Sequence, residues 1–247
     1  FSIDGKTVAY AISEGGSDWR KIIVMDAISK EIKEDTIIDV KFSGMSWKGN
    51  EGIFYSSYDK PKGSELSAKT DQHRLFYHQL GTKQSDDKII FGEKDKRRYV
   101  GGSVTEDGKY LIISAAISTS GNELYYKDLS NPKSKIKPII LGFDYDTSVL
   151  DHKNGSFIMV TNVNAPNKRI VKTNVNNENV KNWVDIIPET SNVLNASKAS
   201  GFIFTKYMVD AVSKVKQYDF NGKLVRAIEL PGVGTASGFS GKKDTET

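Results

Sequence analysis

The sequence predicts an all-β fold, a β-propeller of about five four-stranded blades plus the start of another. Three observations carry this. A turn followed at once by an apolar run recurs at nearly even spacing. No long segment shows the three-and-four apolar spacing and end caps of a helix. Within each repeat the strand-like runs fall in the same order, divided by turns or loops.

The repeat is seen in Asp4-Gly5-Lys6-Thr7-Val8-Ala9-Tyr10, Gly49-Asn50-Glu51-Gly52-Ile53-Phe54-Tyr55, Asp107-Gly108-Lys109-Tyr110-Leu111-Ile112-Ile113, Asn154-Gly155-Ser156-Phe157-Ile158-Met159-Val160 and Ser200-Gly201-Phe202-Ile203-Phe204. Each reads as a hairpin turn feeding a strand. Taken at Val8, Ile53, Leu111, Phe157 and Phe202, the spacings are 45, 58, 46 and 45 residues. A four-stranded blade needs about 40–50.

A further strand follows in each unit, at Ile22–Asp26, Leu75–His78, Leu124–Asp128, Arg169–Thr173 and Val215–Asp219. Outer strands come next, at Lys88–Phe91, Pro138–Leu141, Val184–Ile187 and Val225–Leu230. Inner strands are the more apolar because neighbouring blades flank them, whereas outer strands admit Lys and Glu toward water. Stacked immunoglobulin-like sandwiches would also give short strands, but without this repeat. The blades are placed at about 1–38, 39–92, 93–141, 142–187 and 188–231, with 232–247 opening the next as a strand and turn. The long second unit holds an insertion, Ser57–Gln72, read as a mobile surface loop.

Composition narrows the function. The 247 residues carry a net charge of only +4, dispersed along the chain, which argues against nucleic acid as a partner. The most basic run, Lys94-Asp95-Lys96-Arg97-Arg98, is read as a solvated loop. Zero Cys excludes disulfides, thiolate nucleophiles and Cys-based metal or cluster sites. No apolar run is long enough to span a membrane, so no membrane partner is expected. The compartment stays open, because both a reducing cytoplasm and a bacterial periplasm suit a soluble chain without Cys. The chain opens inside a turn and lacks an initial Met and a signal peptide, which predicts a piece of something larger.

The search for chemistry predicts no catalytic residue, no metal and no cofactor. A serine nucleophile on a Gly-x-Ser-x-Gly elbow is absent, and Gly238-Phe239-Ser240-Gly241 ends in Lys242 where the last Gly belongs. His73 is placed in the long loop, His78 in a strand and His152 at a turn, with no cluster. Asp144, Asp146, Asp151 and His152 form the densest group of metal-ligand types, at a place where Asp commonly caps turns. Paired carboxylates drawn from several blades, as in a propeller glycosidase, are left open.

Several segments resemble the seven-bladed propeller of the prolyl oligopeptidase family of serine peptidases. They are Gly16-Ser17-Asp18-Trp19, Val40-Lys41-Phe42-Ser43-Gly44-Met45-Ser46-Trp47, the specific stretch Leu75–Asp87 (Leu-Phe-Tyr-His-Gln-Leu-Gly-Thr-Lys-Gln-Ser-Asp-Asp), Gly101-Gly102 ahead of Glu106-Asp107-Gly108, and Gly238–Glu246. The resemblance runs nearly end to end. It implies a lid that admits short proline-containing peptides and excludes folded proteins. The catalytic Ser, Asp and His would then lie on an α/β-hydrolase domain of the same polypeptide, and this chain alone would be inactive. By motif match it also implies that Phe42, which its own residues allow equally as an inner-strand core aromatic, and Val100, where relatives often have Met, meet the substrate residue two before proline. Ser118 and Thr119, in Ser118-Thr119-Ser120-Gly121, correspond to another pocket edge. A free-standing propeller that binds protein or peptide partners is the alternative. Five and a fraction blades cannot close a seven-bladed ring, so unclosed edges predict self-association.

Overall fold

The structure, a computed structural model, describes residues 1–59 and 70–243. It divides into two compact units, Phe1–Lys137 and Pro138–Thr247. Nineteen strands among the described residues make five antiparallel sheets, each a meander of sequence neighbours.

Sheet 1 holds β1 (Thr7–Ser13), β2 (Trp19–Asp26) and β3 (Ile32–Lys41). Sheet 2 holds β4 (Met45–Lys48), β5 (Gly52–Ser57), β6 (Arg74–Gln79) and β7 (Lys88–Phe91). Sheet 3 holds β8 (Tyr99–Val104), β9 (Tyr110–Ala116), β10 (Glu123–Asp128) and β11 (Lys137–Ile140). In the second unit, sheet 4 holds β12 (Thr147–Lys153), β13 (Ser156–Thr161), β14 (Arg169–Asn174) and β15 (Val184–Ile187). Sheet 5 holds β16 (Leu194–Ala199), β17 (Phe202–Val209), β18 (Val212–Tyr218) and β19 (Leu224–Ile228).

The five repeat markers all fall on β1, β5, β9, β13 and β17, the strands that leave the repeated turn. Those turns need left-handed backbone. Asn154 and Gly155 supply it with φ of 50° and 71°, and Ser200 and Gly201 with 49° and 76°. Successive positive φ values match the twist of the strands they join. Sheet 1 has three strands where the others have four. The tail, expected to open the next blade with a strand and turn, forms no strand among its described residues. Gly241 donates its N–H to the Lys198 carbonyl at 2.9 Å, and Lys242 accepts from Ser200 at 3.0 Å. These are isolated bonds beside β16 and do not extend into a ladder. In the second unit's other regions, His152 lies within β12 and not at a turn.

Apolar faces pack sheet on sheet within each unit. In the first, Ile22, Ile37, Val40 and Tyr55 join sheets 1 and 2. Phe54, Leu75, Val100, Leu111, Ile113 and Ala115 join sheets 2 and 3. In the second, Ile158, Ile170, Ile187, Leu194, Ile203, Tyr207 and Phe220 join sheets 4 and 5. Gly102 shows how tight the first unit is, since a Cβ there would sit 2.8 Å from both terminal carbons of Leu75. Among the described residues no helix is long and apolar enough to cross a membrane.

Candidate functional site

The antiparallel registers bring the end of β3, the end of β5, the starts of β4, β6 and β8, and the end of β9 to the same end of their sheets in the first unit. Phe42 lies there, in the three-residue link between β3 and β4. Its φ is 51°, a left-handed conformation that costs a bulky residue about 1–2 kcal/mol. Such strain persists only where the surroundings over-determine it. The Ser57 hydroxyl donates to the Asp39 carbonyl, Ser56 N–H donates to Ser43 Oγ at 2.7 Å, and His73 holds the Lys41 carbonyl. The segment is thus pinned on both sides of Phe42.

The result is an aromatic ring presented outward. Phe42 is 50% exposed and is not the core residue that an inner strand would make it. Tyr58 meets it edge-on with ring centres 6.2 Å apart, and Tyr99 lies 6.3 Å away. The Lys41 ammonium stands 5.2 Å from the Trp19 ring and 5.3 Å from the Phe42 ring, with Asp18 at 3.8 Å. A cation held between two aromatic faces stiffens both.

His73 supports this cluster from below. It lies in the loop, immediately before β6, and is fully buried, which the loop placement did not anticipate. Its Nδ1 accepts from Val100 N–H at 2.9 Å. Nε2 therefore carries the proton and donates to the Lys41 carbonyl, also at 2.9 Å. Burial lowers its pKa to about 4, so it stays neutral. Tyr58 stacks on it at 4.3 Å and donates its hydroxyl to the Arg98 carbonyl. Burial pushes that phenol up to about 12.

The four predicted site residues separate in this arrangement. Phe42 is presented to solvent, while Val100, 2% exposed, packs in the core shared by sheets 2 and 3 and touches the cluster through its backbone N–H. Ser118 and Thr119 are exposed beyond the end of β9, at this same end of sheet 3. Of the Ser57–Gln72 insertion, Ser57 belongs to β5 and Tyr58 is buried, while 60–69 lies outside the described residues.

The opposite end of sheets 1 and 2 holds a second buried polar group that residue spacing did not reveal. His78 Nδ1 is 2.7 Å from Asp87, its Nε2 is 3.3 Å from Asp35 on β3, and Tyr55 donates to Asp87 at 2.7 Å. Gly81 N–H also donates to Asp35. Gln84 uses its carboxamide as a strand would, accepting from Ile38 N–H and donating to the Ile38 carbonyl, both at 2.9 Å.

Neither His73 nor His78 can serve a nucleophile, because each has both ring nitrogens occupied. In the second unit His152 packs edge-on against Phe157, and Asp151 pairs with Lys198 at 2.7 Å. No group of three or more His, Asp and Glu among the described residues is arranged to hold a metal ion. What the first unit offers is an outward aromatic contact surface on a rigid base.

Comparison with known proteins follows the same lines. The family described as prolyl oligopeptidase, N-terminal beta-propeller domain, matches residues 1–247. The chain is 55% identical over 98% of its length to a prolyl endopeptidase of Elizabethkingia meningoseptica, covering 35% of that protein. It is 28% identical over 96% of its length to the prolyl endopeptidase of Dictyostelium discoideum, covering 38%. A structure from work on two prolyl endopeptidases, concerned with inter-domain dynamics in catalysis and specificity, matches at a TM-score of 0.85 and 29% identity, over 96% of this chain and 34% of that one. The chain thus spans about a third of the length of the relatives it matches.

Proposed function

Since the chain belongs to the prolyl oligopeptidase family, as its N-terminal β-propeller domain, we propose that it acts as the lid of a serine endopeptidase that cleaves short peptides after proline. In this reading the catalytic Ser, Asp and His reside on an α/β-hydrolase domain of the same polypeptide. The propeller contributes size selection and one wall of the substrate pocket. The observation that carries it is the match of the whole chain to that domain, in a structure whose described His73 and His78 are fully committed to structural hydrogen bonds.

Within this reading Phe42 meets the substrate side chain two before proline. Its ring is already desolvated on one edge by Tyr58, so a second apolar surface can close over it at little further ordering cost. Val100 is a positioning residue: its N–H fixes His73, His73 carries Tyr58, and Tyr58 sets the Phe42 ring. Ser118 and Thr119 border the same face.

The test is proteolysis by the full-length protein and by this chain alone. The full-length protein is expected to cut a blocked proline-containing tetrapeptide and spare a folded protein bearing the same sequence in a loop, with the chain alone silent. Cleavage by the chain alone, or indifference to substrate size, would refute the lid.

A further inference from the structure

Three cations near the exposed face of Phe42 and the cleft beside it are already matched by acids. Lys41 has Asp18, Lys96 has Asp71 at 2.7 Å, and Arg97 grips Glu123 through two nitrogens at 2.7 and 3.2 Å. Arg98 differs. It is exposed, and among the described residues no carboxylate lies within ion-pair distance of its guanidinium. It is nonetheless held in place, with its carbonyl taken by the Tyr58 hydroxyl and its guanidinium carbon 5.6 Å from the centre of the Tyr99 ring. A guanidinium packed against an aromatic ring keeps its fork of N–H donors for a bidentate oxygen pair.

The space in front of it suits such a group. An open cleft of about 510 Å³ is lined by Thr70, Asp71, Lys96, Arg98 and Ile117. Among its described lining residues, Lys96 pairs with the one acid, Asp71, and Arg98 adds a positive charge that none of them matches. Ile117 passes directly into Ser118 and Thr119. The Tyr99 ring lies 6.3 Å from Phe42 and 5.6 Å from Arg98, placing the guanidinium no more than about 12 Å from the Phe42 ring. One residue step of an extended peptide, about 3.5 Å, plus a glutamate side chain on one side and an apolar one on the other, spans that distance.

We propose that Arg98 is a specificity residue that binds the carboxylate of an acidic substrate residue three before proline, next to the residue that Phe42 meets. This rests on the reading that the Phe42 face receives peptide. The substrate class is then narrower than any short proline peptide: it is one with an acid beside the apolar anchor.

The experiment compares two N-acetylated peptides, Glu-Phe-Gly-Pro-amide and Gln-Phe-Gly-Pro-amide, binding to this chain at low ionic strength by calorimetry. Wild type is expected to favour the Glu peptide about twofold to fivefold, as one exposed ion pair gives. In Arg98→Gln the preference falls to one with the Gln peptide unchanged, and 0.5 M salt erodes the wild-type preference. Phe42→Ala weakens both peptides alike and keeps the ratio. Equal binding of the two peptides by wild type, or a preference that survives Arg98→Gln, overturns the role of Arg98 and leaves the peptide face standing. Failure of either peptide to bind, or indifference of both to Phe42→Ala, overturns the peptide face and this inference with it.

Discussion

His78 Nδ1 lies 2.7 Å from the Asp87 carboxylate, and its other nitrogen faces Asp35, so the buried ring is held as an imidazolium between two acids. Burial alone would lower its pKa, but the hydrogen bond and charge of Asp87, then those of Asp35, outweigh it and raise the pKa above the usual histidine value. A raised folded-state pKa stabilises the fold fully below the unfolded value of about 6.5, and that contribution fades as pH rises through the raised value. His78→Gln is expected to cost about 3 kcal/mol at pH 6 and less at pH 9. Urea unfolding at the two pH values checks this, and an equal cost at both would mean a neutral ring.

His73 titrates with the opposite sign. Its folded pKa near 4 is below the unfolded value, so the unfolded chain binds the extra proton between about pH 6.5 and 4 and stability falls as pH drops through that window. The loss is on the order of 3 kcal/mol at its acid limit. His73→Phe keeps the stack on Tyr58 but orphans the Lys41 carbonyl and the Val100 N–H. It is expected to cost about 2 kcal/mol at pH 7 and to flatten the acid side of the stability profile. Melting temperatures measured from pH 4 to 7 decide it.

Phe42 separates folding from binding. Phe42→Gly relieves the left-handed backbone while giving up the ring contacts with Tyr58 and Tyr99, so its unfolding free energy is expected to stay within about 1 kcal/mol of wild type. Peptide affinity of the same variant is expected to drop about tenfold. A parallel loss of stability and affinity would show that the ring serves the fold and not a ligand.

The strands were legible because their signals are local: a turn with positive φ, then β-branched and aromatic residues, repeated at the length of a blade. The outward Phe42 was not legible from its own residues. An aromatic after Val40-Lys41 looks like core, and only the φ of 51° turns it out. The motif resemblance pointed to it, and the same resemblance placed Val100 beside it as a contact. The structure packs the Val100 side chain away and leaves only its N–H in the cluster. His73 meets Val100 and Lys41, and His78 meets Asp35, across 27 to 43 positions of sequence, a separation that composition and periodicity do not record. Even so, the Leu75–Asp87 stretch that carried the resemblance contains His78, Gly81 and Gln84, which bond to Asp35 and Ile38 of sheet 1, and Asp87, which holds His78 in place.

Gln84 stands in for a strand edge, meeting both the N–H and the carbonyl of Ile38. Gln84→Ala is expected to cost about 1–2 kcal/mol, since two backbone groups return to water without their partner. Hydrogen exchange at Ile38 is the sharper readout, and its amide should exchange faster in the variant than in wild type. Unchanged protection would mean that β3 holds this amide without help.

The two histidine sites differ in what they would tolerate when related chains exchange segments. His73 grips backbone atoms of Lys41 and Val100, so a recombinant joined within residues 92–98 keeps both bonds whatever side chains arrive. Asp35 is read by the His78 side chain together with the Gly81 N–H, so a junction at residues 42–44 would demand a compatible acid from the other parent. Sheets 1 and 2 are therefore inherited as a pair, and the workable seam for domain shuffling in the first unit lies after β7.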